Sequence, residues 1–390
     1  MKLLFRLLLI AGLLPVFNAT AQQKSSAMNN EFEHLTAFFQ DQCNEHGVVG
    51  GALAIIQNGE TIYKTTHGVK NLESKAPVTD STIFHWASIT KTFTGIAIMQ
   101  LRDRGLLSLD DPVTKYLPEL RDVHNPYGSM DGITIRHLMT HSAGFRNPTW
   151  PWGGSEEWHP HEPQNWEQIV AMFPYTKILF EPGSDWSYSN PGIIFLGRII
   201  ETITLDDYEY YIQKNILAPL EMHRSYFDRT PRYLLDDLAH SYFQSEDGSY
   251  QEGRFNLNTG ITVSNGGLNA PIGDMMKYLN FLLGNADKEA YEFILNKSSL
   301  SEMFTPQIAV SDDGSDAPEN AGGQQMGLSF FLGERNGTSL IGHSGNQNGF
   351  ISHIYIVPEQ NVGYAIVFNS LRQSRQVDRN ILDYLLEHIF

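Results

Sequence analysis

The spacing of hydrophobic positions sets most of the expected architecture. Phe32, Leu35, Phe38 and Phe39 recur at helical spacing, which predicts a helix over 29–44. Residues 48–57 then read as a strand, Asn58-Gly59 as a hairpin turn and 61–67 as the returning strand. The far end mirrors this, with strands expected at 327–332, 338–343, 350–357 and 362–369 and a closing helix from about 376. Pro358-Glu359-Gln360-Asn361 reads as the turn of the last hairpin. Between the two ends, from Ser88 to about Gly284, the pattern is mostly helical and is broken by Pro- and Gly-rich loops such as 146–164. The simplest architecture is α+β: an antiparallel sheet drawn from both chain ends, flanked by terminal helices, with a mostly helical region inserted. That divides the chain into a sheet subdomain (about 29–80 plus 285–390) and a helical subdomain (about 81–284).

The first residues follow a different logic. Lys2 opens the chain, an apolar stretch runs from Leu3 to Phe17 with Arg6 inside it, and Ala19-Thr20-Ala21 supplies small residues at the spacing of a cleavage site. Residues 1–21 are therefore expected to be a signal peptide, and the stretch is short for a membrane span of about 20 residues; an uncleaved anchor is the alternative. Export to a bacterial periplasm or exterior suits a chain whose single Cys, Cys43, excludes an internal disulfide. The remainder shows no other run able to cross a membrane, and 22–390 reads as one domain.

Charge narrows the partners. Lys and Arg number 27 against 44 Asp and Glu, a formal charge of -17. Nucleic-acid binders cluster basic residues on their surface, so nucleic acid is excluded as a partner. The acidic loop 311–323 lacks the Asp spacing of a calcium-binding loop.

Three short segments carry candidate chemistry. Ser88-Ile89-Thr90-Lys91 opens an apolar helix that continues through Phe93, Ile96, Ala97, Met99 and Leu101 and ends at Gly105. Positions three apart share a helix face, so the amine can reach the hydroxyl, and a Ser hydroxyl is a weak nucleophile until a neighbour takes its proton. Spacing alone favours a Ser cap with an exposed Lys. Tyr188-Ser189-Asn190-Pro191 precedes a helix of about 192–204, which Asn190 is placed to cap. Gly342-His343-Ser344-Gly345-Asn346 ends a short strand, with glycines that admit close backbone approach. It misses the last Gly of a Gly-x-Ser-x-Gly elbow and leads into a strand, which excludes that reading.

Ser-x-x-Lys, Tyr-x-Asn and a His-Ser-Gly strand, in this order, resemble the serine β-lactamase and penicillin-binding protein superfamily. The Tyr-x-Asn form is similar to class C β-lactamases, the D-alanyl-D-alanine carboxypeptidases near them and related carboxylesterases. Flanking segments extend the likeness over roughly 45–370: Phe84 through Thr94, Leu106 through Leu117, Ile133 through Phe145, Phe180 through Gly197, and Gly266-Gly267-Leu268 with Asp274-Met275. The resemblance implies that Ser88 is a nucleophile forming an acyl-enzyme, and that Lys91 and Tyr188 take and return its proton. It implies that Asn190 positions a substrate amide and holds Lys91, and that the N–H groups of Ser88 and Asn346 stabilise the oxyanion. His343, Ser344 and Gly345 would complete the substrate-binding edge. Lys and Tyr ordinarily titrate near 10, so acting as a base near neutrality needs a shift of about 3 units, or about 4 kcal/mol. No metal or cofactor is implied; His137 and His141, four apart, lack a third ligand and read as helix packing.

One departure bears on substrate. Class C β-lactamases usually carry Lys where this chain has His343, so a substrate carboxylate would meet a part-time cation. The implied activity is hydrolysis of amides or esters in a small-molecule or peptide substrate, D-alanyl-peptide-like or β-lactam-like first. A carboxylesterase on small acyl esters and a non-hydrolytic penicillin-binding sensor are the alternatives. Trp150, Trp152, Trp158 and Trp166 suggest an aromatic wall beside the cleft.

Overall fold

The computed structural model describes residues 14–148, 163–245, 247–253, 259–285, 291–311, 323–371 and 374–390. A long N-terminal helix, α1 (Leu14–Glu45), leads into the hairpin β1 (Gly50–Gln57) and β2 (Glu60–Gly68). Asn58 and Gly59 both take positive φ, 51° and 88°, the backbone a tight hairpin demands and Asn-Gly tolerates best. β3 (Ile83–Ala87) precedes α2 (Thr90–Asp103), and the short helices α3 (Ile135–Met139) and α4 (Trp166–Val170) lead to α5 (Asn190–Thr204). The chain continues through α6 (Tyr208–Ile212), β4 (Tyr226–Phe227), β5 (Tyr242–Gln244), β6 (Tyr250–Glu252) and α7 (Val263–Gly266). β7 (Leu268–Pro271) and α8 (Ile272–Leu282) follow. The last strands are β8 (Ile308–Ala309), β9 (Gly323–Met326), β10 (Phe331–Arg335), β11 (Thr338–Gln347), β12 (Phe350–Val357), β13 (Val362–Phe368) and β14 (Ser370–Leu371). A C-terminal helix, Ser374–His388, closes the chain.

Eight strands form the main sheet in the order β2-β1-β13-β12-β11-β10-β9-β8, each neighbouring pair antiparallel. The two chain ends meet within it, one strand in from the β2 edge, where Gly51 faces Phe368 and Gln57 faces Val362. The fold is thus α+β, as the hydrophobic pattern predicts. Alternation splits β1 cleanly between two cores. Leu53 and Ile55 pack with Leu35, Phe39 and Cys43 of α1 and with Val377 and Ile381 of the C-terminal helix. Ala52, Ala54 and Ile56 join the larger core that contains Ile96 and Met99 of α2 and Met275 and Leu279 of α8.

Three expectations shift. The strand expected at 327–332 is instead β10, because Ser329 takes a left-handed φ of 66° and turns the chain between β9 and β10. The strand carrying His343 does not end there; β11 runs on to Gln347. The inserted region also holds a three-stranded sheet, β3-β7-β4, and two strands of another, β14-β5-β6, which the helical pattern hides. Trp150, Trp152, Trp158 and most of the acidic loop lie outside the described residues. Trp166 packs edge-on against Phe173 and Phe195 in the helical core and lines a pocket together with Arg198, Asp207 and Asp228.

Candidate active site

The site starts from a strained turn. β3 ends at Ala87, whose φ of 49° is unusual for a residue with a Cβ, and the chain swings through Ser88 into α2. Ser88 is therefore not the cap of α2; Ile89 occupies that place without a side-chain bond. Lys91 lies one turn on and is 1% exposed. Its Nζ donates to Ser88 Oγ at 2.9 Å and to the Asn265 carbonyl at 2.8 Å. Burial holds the Lys91 amine well below its usual pKa, which makes its neutral, proton-accepting form more accessible than in an exposed lysine.

Asn265 comes from α7, and its position is fixed from the Ser88 side. The Thr90 hydroxyl accepts the Leu268 N–H at 2.9 Å, and β7 pairs with β3. The Asn265 amide donates to Asn190 Oδ1 at 3.0 Å, while the Asn190 amide donates to Asn147 Oδ1 at 3.1 Å. Asn190 thus meets Lys91 through Asn265 and does not cap the helix. Ser189 does that, accepting the Gly192 N–H at 3.1 Å, which leaves the Asn190 side chain free for the site. Asn265 and Asn147 were not legible as site residues: one acts through a backbone carbonyl, the other through a loop contact that the sequence does not reveal.

Tyr188 is buried, with Lys91 Nζ 4.9 Å from its ring centroid. Phe331 stacks on it at 6.5 Å and His141 lies against it at 4.5 Å. His137 and His141 do not share a helix face. His137 closes the capping box of α3, and His141 follows that helix with φ 56°.

β11 forms the opposite wall. It pairs with β10 only as far as Gly342, so among the described residues His343–Gln347 has β12 on one edge and no strand on the other. His343 faces inward against Phe331 and Tyr188, at 5.1 and 6.3 Å between ring centroids. Its Nδ1–H donates to the Ser344 carbonyl at 2.6 Å. Gly345 faces the Trp86 carbonyl, two residues before Ser88, so closely that a Cβ would overlap it. Ser344 sits opposite His353, which pairs with Asp378 of the C-terminal helix at 2.6 Å, and so lies on the other face from His343. Asn346 is exposed at the open edge.

His343 is not a part-time cation. Burial, and then the neighbouring Lys91, push its pKa down to about 3. Buried His141 and His85 are lowered too, chiefly by burial. For a histidine whose folded pKa lies below its unfolded value near 6.5, the unfolded chain binds the extra proton between the two, so stability rises with pH across that window. Comparing urea unfolding of the wild type and His343→Gln should show the wild type losing about 1.4 kcal/mol more per pH unit between pH 5.5 and 4. Equal slopes would show that His343 is not buried in its neutral form.

A family model described as Beta-lactamase matches residues 29–386. Protein flp of Staphylococcus aureus (strain N315) is 24% identical over 341 residues, 87% of this chain and 64% of its own length. Penicillin-binding protein 4* of Bacillus subtilis (strain 168) is 30% identical over 217 residues, 55% of this chain and 46% of its own. The chain spans less than two thirds of the length of these curated relatives. Among solved structures, an octameric penicillin-binding protein homologue from Pyrococcus abyssi has a TM-score of 0.75 and 30% identity, covering 91% of this chain and 77% of that one. A class C beta-lactamase in complex with cefoxitin has a TM-score of 0.72 and 21% identity, covering 92% and 99%, a likeness of fold.

Proposed function

The chain belongs to the beta-lactamase family, and from that premise we propose that it is a serine hydrolase working through an acyl-enzyme on amide or ester bonds, with D-alanyl-peptide-like or β-lactam-like compounds as its first substrate class. One observation carries this reading: a buried Lys91 amine, shifted toward its neutral form, within 2.9 Å of Ser88 Oγ. Ser88 Oγ attacks the substrate carbonyl as its proton passes to the Lys91–Tyr188 pair; the two act as one coupled base. The N–H groups of Ser88 and Asn346 receive the oxyanion, and Asn190 aligns the substrate amide. The returned proton leaves with the departing amine or alkoxide, and water then cleaves the ester on Ser88. In this reading the site lies where a sheet subdomain (about 29–80 plus 285–390) meets a helical one (about 81–284). The leader-like segment 1–21 supports export to a periplasm or exterior; among the described residues no helix is long and apolar enough to cross a membrane.

The test is covalent. Incubation with a fluorescent penicillin and with a p-nitrophenyl ester, followed by intact-mass and peptide mapping, should place one acyl group on the peptide containing Ser88. An adduct elsewhere, or product release with Ser88→Ala at the wild-type rate, sinks the mechanism. Stable labelling without turnover of any substrate would mark a sensor.

The neutral His343 favours a second reading, esters or amides without a carboxylate at the open edge. Burial shifts Lys91 toward its neutral form and pushes the His343 pKa down to about 3, which weakens the case for a standing cation at that edge. The ratio of kcat/KM for a carboxylate substrate to that for its carboxamide should therefore stay within about twofold from pH 5 to 8. A tenfold fall between pH 6 and 7.5 would restore His343 as the cation that holds the carboxylate.

A further inference from the structure

The turn after α3 grips Tyr188 from both sides through a single residue. The His141 carbonyl accepts the Ser187 N–H at 2.9 Å, and its ring Nδ1 accepts the Ser189 N–H at 3.1 Å. The same imidazole lies over the Tyr188 ring at 4.5 Å, with planes 35° apart, and meets Trp186 edge-on at 6.2 Å. Three contacts of three kinds thus converge on the segment 187–189, all from one side chain and its backbone. His141 itself is 2% exposed and held at φ 56°, a conformation that the surrounding structure must impose. Because Nδ1 accepts, the ring proton sits on Nε2, and that nitrogen is buried without a protein partner. His343 also neighbours the Tyr188 ring, at 6.3 Å between centroids; its Nδ1–H is committed to the Ser344 carbonyl and its Nε2 is likewise buried without a partner. The Tyr188 ring therefore has two imidazoles as neighbours, one with a spare donor and one with a spare acceptor.

We propose that His141 is a positioning residue for acyl transfer: it clamps the Ser187–Ser189 backbone and seats the Tyr188 ring so that the phenol works with Lys91 on the Ser88 proton. This inference rests on the serine-hydrolase reading. It adds to that reading a residue outside the three motifs, whose action is on Tyr188 and not on substrate. Clamping matters because a misplacement of about 1 Å in a reacting group can cost on the order of 10²-fold in rate.

Single-turnover acylation by a p-nitrophenyl ester distinguishes the clamp from general structural support. His141→Phe keeps a ring and removes the Nδ1 acceptor. It should slow the acylation rate constant at least tenfold while the apparent dissociation constant of the ester stays within twofold. His141→Asn restores an acceptor near the Nδ1 position and suits a positive φ, so it should recover acylation to within about threefold of wild type. In a Tyr188→Phe background, His141→Phe should cost less than twofold, since the group it positions is gone. Acylation by folded His141→Phe within twofold of wild type overturns the proposal. So does an equal loss in both Tyr188 backgrounds, or a Tyr188→Phe enzyme as fast as wild type. If His141→Phe does not fold, His141→Asn decides alone: a tenfold loss there removes the acceptor as the cause. Ser88→Ala run beside these separates the premises, since a burst that survives Ser88→Ala defeats the serine-hydrolase reading whatever His141 does.

Discussion

Lys91→Met is expected to lower the acylation rate by about 10⁴-fold or more, with Ser88→Ala at least as damaging and the double variant no worse than the poorer single one. A loss of that size corresponds to about 5.5 kcal/mol of transition-state stabilisation. The argument is geometric. In the proposed mechanism the Ser88 hydroxyl reaches its base along one short contact, Lys91 Nζ to Oγ at 2.9 Å, and the amine is held there by the Asn265 carbonyl at 2.8 Å. Met fills similar volume in the core but accepts no proton, so the hydroxyl keeps its proton and its weak nucleophilicity. Residues acting as one unit lose their effect together, which is why the double variant gains nothing. Stability should not fall in parallel: removing a buried amine from a nearly dry site relieves a desolvation cost. Stopped-flow acylation with thermal unfolding on the same samples checks both halves. A Lys91→Met enzyme within tenfold of wild type would move the base elsewhere, with Tyr188 the first candidate.

The nucleophile turn, the Tyr-x-Asn loop and the His-Ser-Gly strand were legible because each is a compact run of residues whose chemistry survives without coordinates. The hairpin at Asn58-Gly59 was legible for a similar reason: both residues favour the positive φ they adopt. What escaped reading is built by long-range contact. β3, β4 and β7 have five residues or fewer each, too short for a periodic signal inside a helical stretch. The cap of α5 was misassigned between adjacent residues, Ser189 and Asn190, which are both good caps; only the fold decides which one turns into the site. His141 sat in plain view within Ile133–Phe145, yet its spacing from His137 suggested a shared helix face. The helix stops at Met139, and that break turns His141 toward Tyr188. The charge state of His343 was misread because burial cannot be seen in a strand-end motif.

Gly345→Ala should reduce acylation by 10²- to 10³-fold and destabilise the fold by about 1–3 kcal/mol, although it adds only one methyl group. β11 crosses the Ser88 turn here at backbone contact. A Cβ on Gly345 would overlap the Trp86 carbonyl oxygen and come within 2.5 Å of Ser352 Oγ. Neither neighbour can give way freely. The Trp86 carbonyl accepts from Ser352 Oγ at 3.0 Å and from the Ile89 N–H at 3.2 Å, and the Trp86 indole is tied to the Ala270 carbonyl at 2.9 Å. Relief must therefore come from β11 moving off the turn. In the proposed mechanism that would carry the Asn346 N–H away from the Ser88 N–H, and the two donors would no longer share one oxyanion. Asn346→Ala provides the contrast, because the exposed Asn346 side chain can go while its N–H stays; acylation should remain within about threefold. Parallel measurement of acylation and urea unfolding on the two variants gives the comparison. If folded Gly345→Ala acylates as fast as Asn346→Ala, the approach of β11 to Trp86 does not set the oxyanion site, and the second donor lies elsewhere on the chain.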